Sequence, residues 1–205
     1  EAVGVDPDLM KAIAQDNDLT AEFIDTDFDS IFAQLGSGSC DVIASSVTIT
    51  DERKEANDFS DPYYTINQSL LVNNEDKDTL TDLDKFDGKV IGVQSETTGA
   101  TYAKENSDAN GYTVQEFTGA DEIFAALRAG TIDASLQDYP VNYGEEEANG
   151  KATVVKTFEG NDESYGFVIS KDNPGLTSAI NASLKKLKEN GKYDEILVKY
   201  LGDSQ

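Results

Sequence analysis

Histidine is absent from this 205-residue chain, cysteine occurs once and arginine twice. Without histidine the chain lacks the commonest metal ligand and the usual general base. A zinc site and a Ser–His–Asp triad are thereby excluded, and no metal or cofactor is expected. One cysteine, Cys40, leaves no intrachain disulfide, and beside Asp-Val-Ile-Ala it reads as a small buried residue. No apolar run approaches the roughly 18 residues that a membrane-spanning helix needs. The first residues, EAVGVDPDLMK, lack the pattern of a signal peptide. Cations are scarce: 16 Lys and Arg against 40 Asp and Glu give a net charge of −24. A basic face for phosphate is missing, so nucleic acid is not an expected partner. The acidity suits a solvated, self-repelling surface or a salty, extracellular habitat. The apolar fraction, 38%, suffices for packed cores, in one large domain or two small ones.

What is present begins with a repeat. DSIFAQLGSGSCDVIASS (Asp29–Ser46) and DEIFAALRAGTIDASLQD (Asp121–Asp138) share D-x-I-F-A-x-L, a glycine, an aspartate and an apolar strand, 92 residues apart. Asp29 and Asp121 suit helix N-caps. Ile31, Phe32 and Leu35, like Ile123, Phe124 and Leu127, form helical apolar faces. Upstream the halves agree again: PDLMKAIAQDN and GATYAKENSDAN predict helices, LTAEFID and YTVQEFT predict strands. Each half is expected to be a βαβαβ unit with right-handed crossovers. The second half opens with a strand, KVIGVQS (Lys89–Ser95), whose partner falls at or before residue 3. The first half is therefore expected to lack its opening strand, and the natural protein to carry more N-terminal sequence. In open α/β sheets ligands bind beyond the carboxyl ends of the strands. The repeat makes Ser46 and Asp138 equivalent and sets them on opposite walls of an expected cleft.

Three turns carry the chemistry. In ASSVTITDER, Thr50 is a good N-cap and Arg53 the third helical residue, leaning back toward Ser46 and Thr48. That suits a planar anion held by a guanidinium, hydroxyls and helix-start donors. A surface arginine paired with Asp51 or Glu55 is the simpler alternative. In QSETTGATYA, Thr97 or Thr98 can cap a helix beside Gly99, with no P-loop lysine. In LQDYP, Asp138 ends a strand, either as a turn acid or as the partner of an ammonium. A carboxylate on Arg53 and an ammonium on Asp138 describe an α-amino acid zwitterion. Ser45, Ser46, Thr48 and Thr98 would add neutral hydrogen bonds. Phe28 can cover the ligand side chain or serve as a helix-start staple.

These residues resemble the extracytoplasmic solute-binding proteins of polar amino acid ABC transporters, bacterial family 3. The likeness spans essentially the whole chain. It rests on GVDPDLMKAIA, FDSIFAQLGSGSCDVIASSVTITDERKEANDFSDPYY, GKVIGVQSETTGATYA, GTIDASLQDYP and INASLKKLKENGKYDEILVKYLG. The resemblance implies a two-lobed type II periplasmic-binding-protein-like fold. Each lobe would be an open, mostly parallel sheet flanked by helices, with two crossing hinge segments. Domain 1 would take residues 1–73 and 162–205, domain 2 residues 74–161. FEGNDESYGF would form the second crossing. By the same resemblance, Arg53 and Thr48 clasp the ligand's α-carboxylate with Thr98. Asp138 and Ser46 take the α-ammonium, and Gln94 and Gln137 stand where glutamine binders make side-chain contacts. The family's first strand, with its aromatic and often an acid, has no counterpart here.

The expected function is therefore non-enzymatic: a monomer, periplasmic or a cell-surface lipoprotein, that hands a polar amino acid to a membrane permease. A glutamine-like ligand is expected first and a basic amino acid second. The alternatives are an extracellular sensing domain of a receptor and a dehydratase on the same fold.

Overall fold

The computed structural model describes residues 2–202, apart from the side chains of residues 161 and 162, which fall in the expected hinge. The chain separates into two compact units. Unit 1 takes Glu1–Thr26, Ser30–Thr65 and Ser164–Gln205, and unit 2 takes Asp27–Asp29 and Ile66–Glu163.

Unit 1 begins with helix α1 (Val5–Asp16). Helix α2 (Ile31–Gly36), strand β1 (Val42–Ile43), helix α3 (Asp51–Ala56) and strand β2 (Asn57–Phe59) follow. Strand β3 (Tyr64–Asn73) carries the chain into unit 2 at Ile66, well before Asn73. The reason is its pairing: Gln68–Leu71 lie antiparallel to residues 138–135, so this stretch belongs to the second sheet.

Unit 2 continues with β4 (Val90–Gln94), α4 (Thr98–Asn110), β5 (Thr113–Phe117), α5 (Ala120–Arg128), β6 (Ala134–Asp138) and α6 (Tyr139–Asn149). Strand β7 (Ala152–Tyr165) returns the chain to unit 1. There β8 (Val168–Ser170), α7 (Pro174–Glu189) and α8 (Lys192–Leu201) complete it.

The sheet of unit 2 runs β5-β4-β6-β3-β7. Its β5-β4-β6 part is parallel, as the repeat predicts, and β3 joins antiparallel. Helices cover both faces, so consecutive residues of β3 (Leu70, Leu71, Val72) are all buried. Leu70 and Val72 pack with Phe86, Ile91, Val93 and Leu136, whereas Leu71 packs with Ile123, Phe124 and Leu127. Gly92 lets α5 and the turn after it approach: a Cβ there would lie 3.2 Å from Ile123 Cγ2 on α5 and 2.5 Å from Ile132 Cδ1 in that turn.

The sheet of unit 1 has the order β1-β8-β2, with both outer strands antiparallel to β8. β1 and β2 are therefore parallel to each other across a return strand. The expected strand at Leu19–Asp25 does not form; residues 19–27 carry no regular element. Its repeat partner β5 pairs with β4, and no described residue forms a strand at the β4 position of unit 1. The segment has no ladder to join, and Leu19 and Ile24 are 63% and 61% exposed. Asp121 does not cap α5 either. The helix starts earlier, behind Gly119, and Asp121 sits in its first turn, favourably placed for the dipole. Asp29 lies in a 3-10 turn ahead of α2. Cys40 is half-buried rather than buried, because it follows a glycine–serine turn at the surface.

Two lysines of the last two helices have acidic partners on α1: Lys186 pairs with Asp16, and Lys199 with Asp8 at 2.7 Å. The Lys199 and Tyr200 hydrogen bonds hold the Asp8 carboxyl below its ordinary range.

Candidate functional site

In unit 1, Thr50 caps α3 as its sequence predicts: its Oγ1 accepts the Arg53 backbone N–H at 3.1 Å. Arg53, half-buried, folds back and donates from Nη1 to the Thr48 carbonyl at 2.8 Å. Its guanidinium carbon lies 5.5 Å from the centre of the Phe32 ring, within cation–π range. The arginine is thus shelved on a ring and tethered to the turn it follows. α3 is only six residues long, so the candidate anion-binding group of this turn is the guanidinium rather than the helix start.

The turn before it is pinned from several sides. The Ile49 N–H donates to the Ser164 carbonyl at 2.8 Å and the Gly166 N–H to the Val47 carbonyl at 3.1 Å. Thr48 is 4% exposed and bridges Tyr165. Ser46 adopts φ 50°, a left-handed conformation unfavourable to a residue with a Cβ. The compensation is an acceptor: the buried Asp6 carboxylate takes the Ser46 N–H at 2.6 Å and the Tyr63 hydroxyl at 2.6 Å. Burial pushes the Asp6 carboxyl up, against these two hydrogen bonds that pull it down. Burial, then the Asp6 charge, raises the Tyr63 phenol well above its ordinary value.

In unit 2, Thr97 caps α4: it accepts the Ala100 N–H at 3.1 Å and donates to the Gln94 carbonyl at 2.7 Å. Gln94, at the end of β4, donates its amide to the Thr118 carbonyl at 3.0 Å. Thr98, the first residue of α4, donates its hydroxyl to Glu163 Oε2 at 2.6 Å. Asp138, half-buried at the end of β6, accepts from Gln68 Nε2 at 2.6 Å. The same amide nitrogen lies 3.2 Å from Thr98 Oγ1 and 3.3 Å from Glu163 Oε1. Thr98, Asp138, Glu163 and Gln68 thus form one cluster with two carboxylates.

Gln137 points elsewhere. It is 5% exposed and donates to Ser135 Oγ, within a buried network that includes Asn142 and Ser69. Phe28 is half-buried in the 3-10 turn Phe28–Ser30, in the short stretch that groups with unit 2. Thr48, Ser46 and Arg53 therefore come together in unit 1, and Thr98 and Asp138 in unit 2.

Three residues escaped the sequence reading: Asp6, Gln68 and Glu163. Asp6 had a signal, since it stands three and seven residues before Leu9 and Ile13 on the buried stripe of α1. Gln68 had one too, as a polar residue inside the apolar strand INQSLLV. Glu163 lay among other acids and had none. No group of His, Cys, Asp and Glu able to hold a metal occurs among the described residues. None of their helices is long and apolar enough to cross a membrane.

Comparison with known proteins gives the family and the fold. The ABC transporter glutamine-binding protein GlnH of Bacillus subtilis (strain 168) is 36% identical over 206 residues, 98% of this chain and 73% of the relative. The lysine/arginine/ornithine-binding periplasmic protein of Escherichia coli (strain K12) is 31% identical, over 97% of this chain and 78% of the relative. Among solved structures, the L-arginine-bound ABC transporter substrate-binding protein AbpA of Streptococcus pneumoniae superposes with a TM-score of 0.91 at 31% identity. That match covers 98% of this chain and 84% of the other. The fold is the two-lobed α/β fold of these binding proteins. The model of the bacterial extracellular solute-binding proteins, family 3, matches residues 1–203, and the chain belongs to that family.

Proposed function

We propose that this protein binds a polar L-amino acid without transforming it and delivers it to an ABC transporter permease. In this reading Arg53, with Thr48, receives the α-carboxylate. Asp138 and its cluster, with Ser46, receive the α-ammonium. Phe28, Gln94 and Thr97 stand nearer the side chain. Gln137 is left out because its amide is spent inside unit 2.

One observation carries the reading: each unit assembles a group of one charge preference. Unit 1 offers a tethered guanidinium beside a hydroxyl turn. Unit 2 offers two carboxylates joined by one amide. An α-amino acid presents both complementary charges on neighbouring atoms, and a bidentate carboxylate suits the guanidinium.

Glutamine is the first candidate ligand and a basic amino acid the second, in keeping with the glutamine-binding and the lysine/arginine/ornithine-binding relatives. Catalysis is not part of the reading, since a chain without histidine lacks the usual proton-transfer group. The protein is taken to act as an extracytoplasmic monomer, in the periplasm or as a cell-surface lipoprotein.

A thermal-shift screen of the twenty amino acids tests this. A ligand at a hundred times its dissociation constant stabilises by about 2.7 kcal/mol, which raises the melting temperature by roughly 5–10 °C for a chain of this size. No shift with any of the twenty would refute the reading.

A further inference from the structure

We propose that Gln68 and Glu163 are positioning residues for ammonium recognition: Gln68 fixes the Asp138 carboxylate, and Glu163 fixes the direction of the Thr98 hydroxyl. The proposal deepens the amino-acid reading above and rests on it.

Gln68 is fully buried on β3, opposite Asp138 in the ladder. Its amide nitrogen has two hydrogens to give and three oxygens within 3.3 Å: Asp138 Oδ1, Thr98 Oγ1 and Glu163 Oε1. The 2.6 Å contact to Asp138 is the shortest and is charge-assisted. The other end of the amide, Oε1, is buried without a hydrogen-bond partner among the described residues. Rotating the amide would bring that carbonyl against two carboxylates, so charge sets its orientation. A buried acceptor without a partner is costly. A leucine or methionine would avoid that cost, so the position is explained by its donor side.

Thr98 has one hydroxyl hydrogen, and the 2.6 Å contact directs it at Glu163 Oε2. What remains on Thr98 Oγ1 is acceptor capacity. The cluster then presents the accepting oxygens of Asp138 and Thr98, while Glu163 spends Oε2 on the Thr98 hydroxyl. Such a set suits the hydrogens of an ammonium and repels a carboxylate. The family resemblance places Thr98 with the ligand carboxylate; its bond to Glu163 assigns the hydroxyl oxygen to the ammonium instead.

The test is a double-mutant cycle read by calorimetric titration with L-glutamine and L-arginine, on the parent, Glu163→Ala, Thr98→Val and the double variant. If Glu163 acts through Thr98, each single change weakens binding roughly tenfold, and the double variant falls within about twofold of Thr98→Val alone. Glu163→Gln keeps an acceptor for the hydroxyl and is expected to weaken binding less than Glu163→Ala does. Gln68→Met removes the donors at similar volume. It should weaken L-glutamine at least roughly tenfold, yet leave the des-amino analogue glutaramic acid within about threefold. Additive losses in the cycle overturn the role of Glu163. Equal losses of glutamine and glutaramic acid overturn that of Gln68. If Gln68→Met does not fold, as judged by its melting temperature, Gln68→Leu and Gln68→Glu take its place. Gln68→Glu removes donors while keeping length, and parental affinity in it overturns the role of Gln68. A parent protein that binds none of the twenty amino acids overturns the amino-acid reading itself, which separates that failure from the others.

Discussion

Asp6, on the first turn of α1, and Ser46, forty residues later, meet through a 2.6 Å hydrogen bond from the Ser46 backbone to the Asp6 carboxylate. The bond holds Ser46 in its left-handed conformation and so sets the shape of the turn that leads to Thr48 and Arg53. Removing the acceptor leaves one buried donor, the Tyr63 hydroxyl, and one half-buried donor, the Ser46 N–H, without their partner. Asp6→Ala is expected to lower stability by about 1–3 kcal/mol per orphaned donor, with weaker amino-acid binding. Chemical denaturation and calorimetry check both. An Asp6→Ala protein with unchanged stability contradicts the clamp.

The same carboxyl gives a pH signature. Burial raises it above 3.8 in the folded protein, so the fold binds the Asp6 proton more tightly than the unfolded chain does. The stability that this group contributes is fully present below 3.8 and is lost as pH rises through its folded value. Asp6→Asn cannot titrate. The stability of the parent minus that of Asp6→Asn should therefore fall between acid and neutral pH. A difference independent of pH, or one that grows, refutes this.

Arg53 is expected to be the principal carboxylate contact. Arg53→Ala should stay folded and lose roughly a hundredfold or more in affinity, in line with the loss of one member of a desolvated charge pair. Arg53→Lys should recover little, because an ammonium cannot offer the bidentate, ring-stacked geometry of a guanidinium. Titration calorimetry decides, and an Arg53→Ala protein binding within about threefold of the parent removes Arg53 from the site.

Asp138→Asn should weaken an L-amino acid by at least roughly tenfold while leaving its des-amino analogue nearly unchanged, because the lost charge faces the ammonium alone. Competition titration with glutamine against glutaramic acid, and arginine against 5-guanidinopentanoic acid, measures it. Equal losses would make Asp138 a residue that holds unit 2 together.

Gly92→Ala is a prediction about the scaffold. The added methyl would lie 2.5 Å from Ile132 Cδ1, and overpacking of this kind costs about 1–3 kcal/mol. Urea denaturation reads the change. Gly92→Ala with parental stability would mean that the Ile132 side chain turns away to admit the methyl.

Periodicity and the 92-residue repeat determined the helices α1, α2, α4 and α5 and the strands β4, β5 and β6, because local apolar spacing commits each segment to one face. The sequence also carried Thr50 as a cap and Arg53 folding back on its own turn, which are contacts between near neighbours. Tertiary structure decided the rest. Leu19–Asp25 has a strand's composition but no strand, since a strand exists only by its partner. Gln137 looked like a contact for a ligand, yet it turns into a buried network with Ser135 and Asn142. Asp6 and Glu163, two acids among forty, acquired their roles from what lies beside them far along the chain: Ser46 and Tyr63 for one, Thr98 and Gln68 for the other. Composition cannot tell a solvated carboxylate from one that holds a turn, because the difference is the set of donors that folding brings to it.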